Sequence, residues 1–177
     1  MDDFAIMGTI GSGVAIIDIS DIEEPTLAAT YPATGNRFVD VKEDNGIGFF
    51  ASDNGGGVHV VDLTNPSDPT RLSEIGSATG GFDSVKNVFV QDGFLYEVNE
   101  TSPTVKVFDI RTPATPRFTR DIVTTETAGL TDIFVDSSRL YVTGSGIDGS
   151  EDPEGSAYIY DVTDIGSQPA TYLTKIP

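Results

Sequence analysis

The chain has 177 residues and no cysteine, so it has no disulfide framework, thiolate metal site or cysteine nucleophile. It has a single histidine, His59. A Ser–His–Asp nucleophile system would have to use it, and no G-x-S-x-G elbow accompanies it. A multi-histidine zinc site is excluded on the same count. Basic residues are scarce: 4 lysines and 6 arginines stand against 19 aspartates and 9 glutamates, for a net charge of −18. That balance argues against a nucleic-acid binder, which tracks phosphates with a basic stripe. No apolar run approaches the roughly 20 residues of a membrane-spanning helix. Nor does any helical periodicity extend beyond one or two turns.

The acids are scattered along the chain rather than gathered in blocks. An acidic face could bind cations or basic partners. A dispersed excess fits solvent adaptation better, since it keeps a surface hydrated where salt screens repulsion. The acid-rich, lysine-poor composition resembles that of proteins from extreme halophiles. With 38% hydrophobic residues and 19 glycines, the chain can still build a core.

One short block recurs four times: VAIIDIS at 14–20, VHVVDLT at 58–64, VKVFDIR at 105–111 and AYIYDVT at 157–163. Its aspartates, Asp18, Asp62, Asp109 and Asp161, lie 44, 47 and 52 residues apart. A proline-bearing turn and a short polar–apolar strand follow each block: TLAATY, TRLSEI, RFTRDI and ATYLTKI. A hairpin precedes each block except the first, which has only FAIMGTI at 4–10. Asp-Gly, Asn-Gly and Asp-Ser-Ser turns separate these β-branched and aromatic segments. Four strands per 44–52 residues is the period of a propeller blade. The expected fold is all-β: a single propeller domain over 1–177, of about four blades of four antiparallel strands. The blades run approximately over 1–32, 33–76, 77–123 and 124–177, and the first lacks its innermost strand. Phe38, Phe49, Phe50, Phe89, Phe94, Phe108 and Phe134 are the expected fillers between blades.

The blocks VAIID, VHVVD, VKVFD and AYIYD, each followed by a turn, resemble the LVIVD repeat, a propeller-blade motif of bacterial and archaeal surface proteins. The last copy departs most, with Ile165-Gly166-Ser167 where the others have a compact proline turn. The resemblance implies a cell-surface or extracellular location, although MDDFAIMGTIGSG is not a leader of basic and apolar character. It also implies a longer protein, of which these blades would be a part. An unpaired inner edge on the first blade would then offer a route to self-association.

Several residues are candidates for function. The four repeat aspartates stand at strand ends before a turn, where a carboxylate can accept backbone N–H bonds and pin the chain. His59 aligns with Ala15, Lys106 and Tyr158 and reads as a strand-surface residue. The insert at 144–155 places Asp148, Ser150 and Asp152 at alternate positions, with Glu154 beside them. This set of hard oxygens resembles the start of a calcium loop, although Pro153 stands where an EF-hand needs glycine. Arg37, Asn87 and Asp132 lie at the starts of the innermost strands and could ring the mouth of a central channel. The 52–57 and 99–104 loops and the 144–155 insert share one face, the expected binding face. Gly55-Gly56-Gly57 is not a phosphate loop, because no lysine or helix follows it. Asn99-Glu100-Thr101 is an N-x-Thr glycan acceptor site.

These features point to a non-enzymatic propeller repeat module, exported to the cell surface, that binds a protein, polysaccharide or small ligand. The alternative is a metal-dependent hydrolase or lactonase using Asp132, Asn87 and Asp148. If the acidity is salt adaptation, the thermal midpoint will rise between dilute buffer and molar salt. A scan of Tm against potassium chloride checks this, and an unchanged midpoint contradicts it.

Overall fold

The computed structural model describes residues 3–9, 11–124, 129–144 and 156–176. Fifteen strands form four antiparallel sheets. The first sheet contains β1 (Phe4–Thr9), β2 (Gly13–Asp18) and β3 (Thr26–Pro32). The second contains β4 (Phe38–Asp44), β5 (Ile47–Ser52), β6 (Val58–Asp62) and β7 (Thr70–Ile75). The third contains β8 (Asn87–Gln91), β9 (Phe94–Val98), β10 (Thr104–Asp109) and β11 (Arg117–Val123). The fourth contains β12 (Leu130–Asp136), β13 (Arg139–Gly144), β14 (Ser156–Asp161) and β15 (Thr171–Ile176). Each sheet is a meander in chain order, the architecture of a propeller blade. The first has three strands among the described residues, equivalent by the repeat to the second, third and fourth strands of the others. The only helix among the described residues is a single 3-10 turn, Ser77–Thr79.

The repeat extends to the hydrogen-bond register. In every blade the outermost strand carries one extra residue opposite the conserved block: Ala28, Leu72, Thr119 and Leu173. A bulge increases local twist, so its recurrence at one position gives all four sheets the same curl. The first hairpin of the second and third blades turns on Asn45-Gly46 and Asp92-Gly93, with φ of 52° and 80°, and 52° and 77°. Two consecutive positive φ values define a type I′ turn, whose twist matches the flanking strands. Its last residue then receives a bond from the turn after the conserved block. Leu63 N–H donates to the Gly46 carbonyl at 2.7 Å and Ile110 N–H to the Gly93 carbonyl at 2.9 Å. Ile19 to Asp3 and Val162 to Ser138 repeat this bond in the first and fourth blades.

The chain divides into two compact units, residues 1–85 with 113–115, and residues 86–112 with 116–177. In the first unit the core is Val14, Ile16, Tyr31, Phe38, Phe50, Val61 and Leu63, all buried. Tyr31, Phe38 and Phe50 meet edge-on or tilted at 5.4 to 6.0 Å, the geometry aromatic quadrupoles favour. In the second unit Val105, Val107, Leu130, Ile133, Leu140 and Val142 are buried together with Tyr96, Tyr158 and Tyr160. One expected filler falls outside this core. Phe134 is 54% exposed, because strand alternation turns Ile133 and Val135 inward and leaves it on the other face. Its ring lies near those of Phe89 and Tyr141, with centroids at 5.1 and 6.3 Å.

Gly57 is required by space as well as by conformation. Its φ is +58°, and a Cβ there would stand 1.9 Å from the Ile75 carbonyl oxygen. Gly55 also has a positive φ, +110°, but has open space around it. Gly57→Ala will therefore cost at least about 2 kcal/mol, against about 1 kcal/mol for Gly55→Ala. Urea midpoints of the two variants compare the effects directly.

Candidate functional site

The register places the channel candidates. Asn87 pairs with Val98, Asp132 with Thr143 and Asp40 with Ala51, which are equivalent positions of three blades. The repeat-equivalent set is thus Asp40, Asn87 and Asp132, whereas Arg37 falls three residues earlier. Asp40 and Asp132 each accept the N–H of the following residue at 2.9 Å. Asn87 leaves its side-chain oxygen buried with no partner among the described residues. Arg37 is held in a two-pronged ion pair, its Nε and Nη2 each 2.6 Å from the Asp53 carboxylate. Aligning FVDV with KNVFV and TDIFV would have found Asp40 in the sequence.

The four repeat aspartates have a shared geometry. Asp18, Asp62 and Asp161 accept the backbone N–H two residues on, at 2.8 to 2.9 Å. They also accept the hydroxyl of that same residue at 2.6 Å. These bonds to the charged form hold the three carboxyls below their ordinary range. At Asp109 the second donor is the guanidinium of Arg111, whose Nε lies 2.9 Å away. Asn99 forms the same turn, accepting the Thr101 N–H at 2.6 Å, and is 8% exposed.

His59 does not lie on a strand surface. It is 1% exposed, beneath Tyr31 and Phe38. Nδ1 is 2.8 Å from the Tyr31 hydroxyl and Nε2 is 3.4 Å from the Asn36 amide nitrogen. With the amide donating to Nε2, Nδ1 carries the proton and donates to Tyr31. Burial, helped by the positive charge of Arg71, lowers the imidazole pKa to about 4, so it is neutral at pH 7. Alignment with Ala15 and Lys106 suggested a tolerant, solvent-facing position, but the covering comes from Tyr31 and Asn36, outside the repeat block.

The calcium candidates Asp148, Ser150, Asp152 and Glu154 lie outside the described residues. Among the described residues, no cluster of three histidine or acidic side chains could hold a metal.

A cleft of about 390 Å³ opens between the third and fourth blades, within the second unit. It lies at the end of the third and fourth blades that carries Asp109 and Asp161. The turns of Asp92, Arg111, Ser137 and Val162 to Ser167 wall it. The last departs from the repeat. Eight residues separate Asp18 from Thr26, Asp62 from Thr70 and Asp109 from Arg117, whereas ten separate Asp161 from Thr171. The extra length lets Ile165 fold inward to 4% exposure and brings Gly166 against the Phe94 ring. A Cβ on Gly166 would stand 2.7 Å from Phe94 Cζ. Arg111, held by Asp109, lies over Phe94 at 5.5 Å from its centroid. Tyr96 also lines the cleft although it is only 3% exposed. Burial, together with the negative charge of Asp92, pushes its phenol pKa up to about 12.

The comparisons agree with this architecture. The LVIVD repeat model matches residues 2–33 and 49–78. No curated protein matches the chain. The computationally designed Ika4 protein is similar at 14% identity and a TM-score of 0.66, over 90% of this chain and 85% of its own. A functionally unknown protein from Desulfotomaculum acetoxidans is similar at 13% identity and a TM-score of 0.75, over 98% of this chain and 52% of its own. So is a Bacteroides fragilis protein with a provisional 6-phosphogluconolactonase assignment, at 12% identity and a TM-score of 0.71, over 98% of this chain and 54% of its own. The chain thus spans about half the length of these two natural structures. These likenesses define a β-propeller fold built of repeat modules, with LVIVD character in its first two blades.

The buried histidine makes stability depend on pH in a defined window. Unfolded, it binds a proton below about 6.5; folded, only below about 4. The native state therefore holds fewer protons between these values, and stability falls as the pH is lowered through them. The turn-pinning aspartates, already below their ordinary value of 3.8, add their loss only further down. Urea midpoints from pH 7 to 4 will decline in the wild type and decline less in His59→Phe. Equal slopes would contradict the assignment.

Proposed function

We propose that this chain is a non-catalytic propeller repeat module, displayed at the cell surface, that binds a ligand on its rigid turns. The observation that carries this reading is the fourth-blade turn. Three blades keep the same eight-residue spacing, and the one that departs from it walls the cleft. A variable turn on an invariant frame is how rigid scaffolds present binding sites. The cleft falls in the size range of small-molecule sites. The similarity to the LVIVD repeat supports a surface location. No described helix is long and apolar enough to cross a membrane.

The rival reading is a metal-dependent hydrolase acting through Asn87 and Asp132. Asp132 already accepts the Ile133 N–H, and its repeat counterpart Asp40 holds Lys42 Nζ at 2.7 Å. The two positions therefore share a strand-start geometry that structure alone accounts for. An ester and lactone panel with added calcium, magnesium or zinc separates the readings. A binding module gives no turnover above the protein-free rate. Metal-dependent turnover abolished by Asp132→Ala would overturn it.

A further inference from the structure

We propose that the cleft between the third and fourth blades binds a neutral saccharide, with the Tyr96 hydroxyl as a hydrogen-bonding group at its floor. The proposal rests on the binding reading above and names the ligand class.

Tyr96 is the first observation. It is 97% buried in the second unit's core, yet lines the cleft. Its hydroxyl finds no hydrogen-bond partner among the described residues; Asp92 acts on it only through charge. The equivalent position holds Ile6 in the first blade, Phe49 in the second and the part-exposed Tyr141 in the fourth. The fold therefore does not require a hydroxyl there. The hydroxyl is a polar group that the cleft presents without a protein partner among the described residues, open to a bound hydroxyl group.

The wall chemistry selects the ligand. The Asp164 carboxylate accepts no hydrogen bond from the described residues, and the Asp92 carboxylate accepts one, from Gln91 at 3.1 Å. Arg111 uses two of its five N–H donors on Asp109 and keeps the rest. An anion would meet Asp92, Asp164 and a net charge of −18. A cation would meet Arg111, fixed over Phe94. A hydrocarbon would desolvate both carboxylates and Tyr96 without replacing their hydrogen bonds. A neutral ring bearing several hydroxyls donates to the carboxylates and accepts from Arg111 and Tyr96. Its C–H face can rest on the apolar surface of Phe94 and Val162. The lengthened turn supplies Asp164, so the same departure from the repeat that shapes the cleft also provides one of its acceptors.

The test is an amide-resolved NMR titration of the intact chain with glucose, galactose, mannose, N-acetylglucosamine and their common disaccharides. N-methylated lysine amide is titrated in parallel as a cationic probe. At least one saccharide should shift amides of residues 91–96 and 162–167 saturably. Tyr96→Phe, which removes only the unpaired hydroxyl, should weaken that binding roughly five- to tenfold, the effect of one neutral hydrogen bond. Asp164→Asn should weaken it in the same sense. Melting curves for both variants should overlay the wild type. Saturable shifts with the lysine probe but no saccharide would overturn the ligand class and leave the binding reading standing. No shift at the cleft with any probe would overturn both. Saccharide binding untouched by Tyr96→Phe would overturn the role given to the hydroxyl.

Discussion

A four-stranded blade has two faces, and a strand buried on both cannot alternate simply between apolar and polar residues. The rest of this structure depends on that constraint. In β6 the residues Val58, His59, Val60 and Val61 are all buried, so each face must be covered by something other than water. Val60 and Val61 are apolar and need only contact. His59 carries two polar atoms into the same environment, where an unpaired nitrogen would cost as much as several methylene groups gain. Tyr31 and Asn36, from outside the repeat block, meet that demand. The polar contact thus ties the outer strand of the first blade and the following loop to the third strand of the second.

The turns solve the complementary problem. A strand pair that ends abruptly leaves backbone donors without partners. The aspartate at the end of each conserved block takes one of them, together with a hydroxyl or a guanidinium from the same residue, without using any residue beyond the next two. Because this closure is local, the residues further along the turn can vary in number. The fourth blade is the example: Asp161 closes its turn with the same distances as Asp62 while the loop behind it is two residues longer. The conserved aspartate and the variable cleft wall are therefore parts of one arrangement.

Strand positions and the four-sheet, all-β pattern were legible because β-branched blocks and tight turns are local signals. The constant bulge position was not, since Ala28, Leu72, Thr119 and Leu173 share no residue type. His59 was misread because alignment within a repeat compares positions on one strand, whereas its burial is set by neighbouring elements. Phe134 was misread because composition marks an aromatic residue as a filler and only the phase of the strand decides which face it takes. Of the channel candidates, Asn87 and Asp132 occupy positions equivalent to Asp40, and Arg37 stands three residues before it. The unusual turn at Ile165-Gly166-Ser167 stood out in the sequence, but its meeting with Phe94 did not.

Tyr96 shows how such a site can be recognised on a repetitive fold. At a position where a repeat tolerates isoleucine and phenylalanine, packing alone accounts for size and shape. It does not account for an added oxygen at a residue this deeply buried, whose hydroxyl meets the cleft instead of a protein partner. Gly166 reads in the same way from the opposite side. A residue with a side chain would collide with Phe94, so the turn approaches as closely as a backbone can. Each feature alone is a small irregularity. Together they bring a hydroxyl, a fixed cation and a carboxylate that accepts no hydrogen bond from the described residues around one opening.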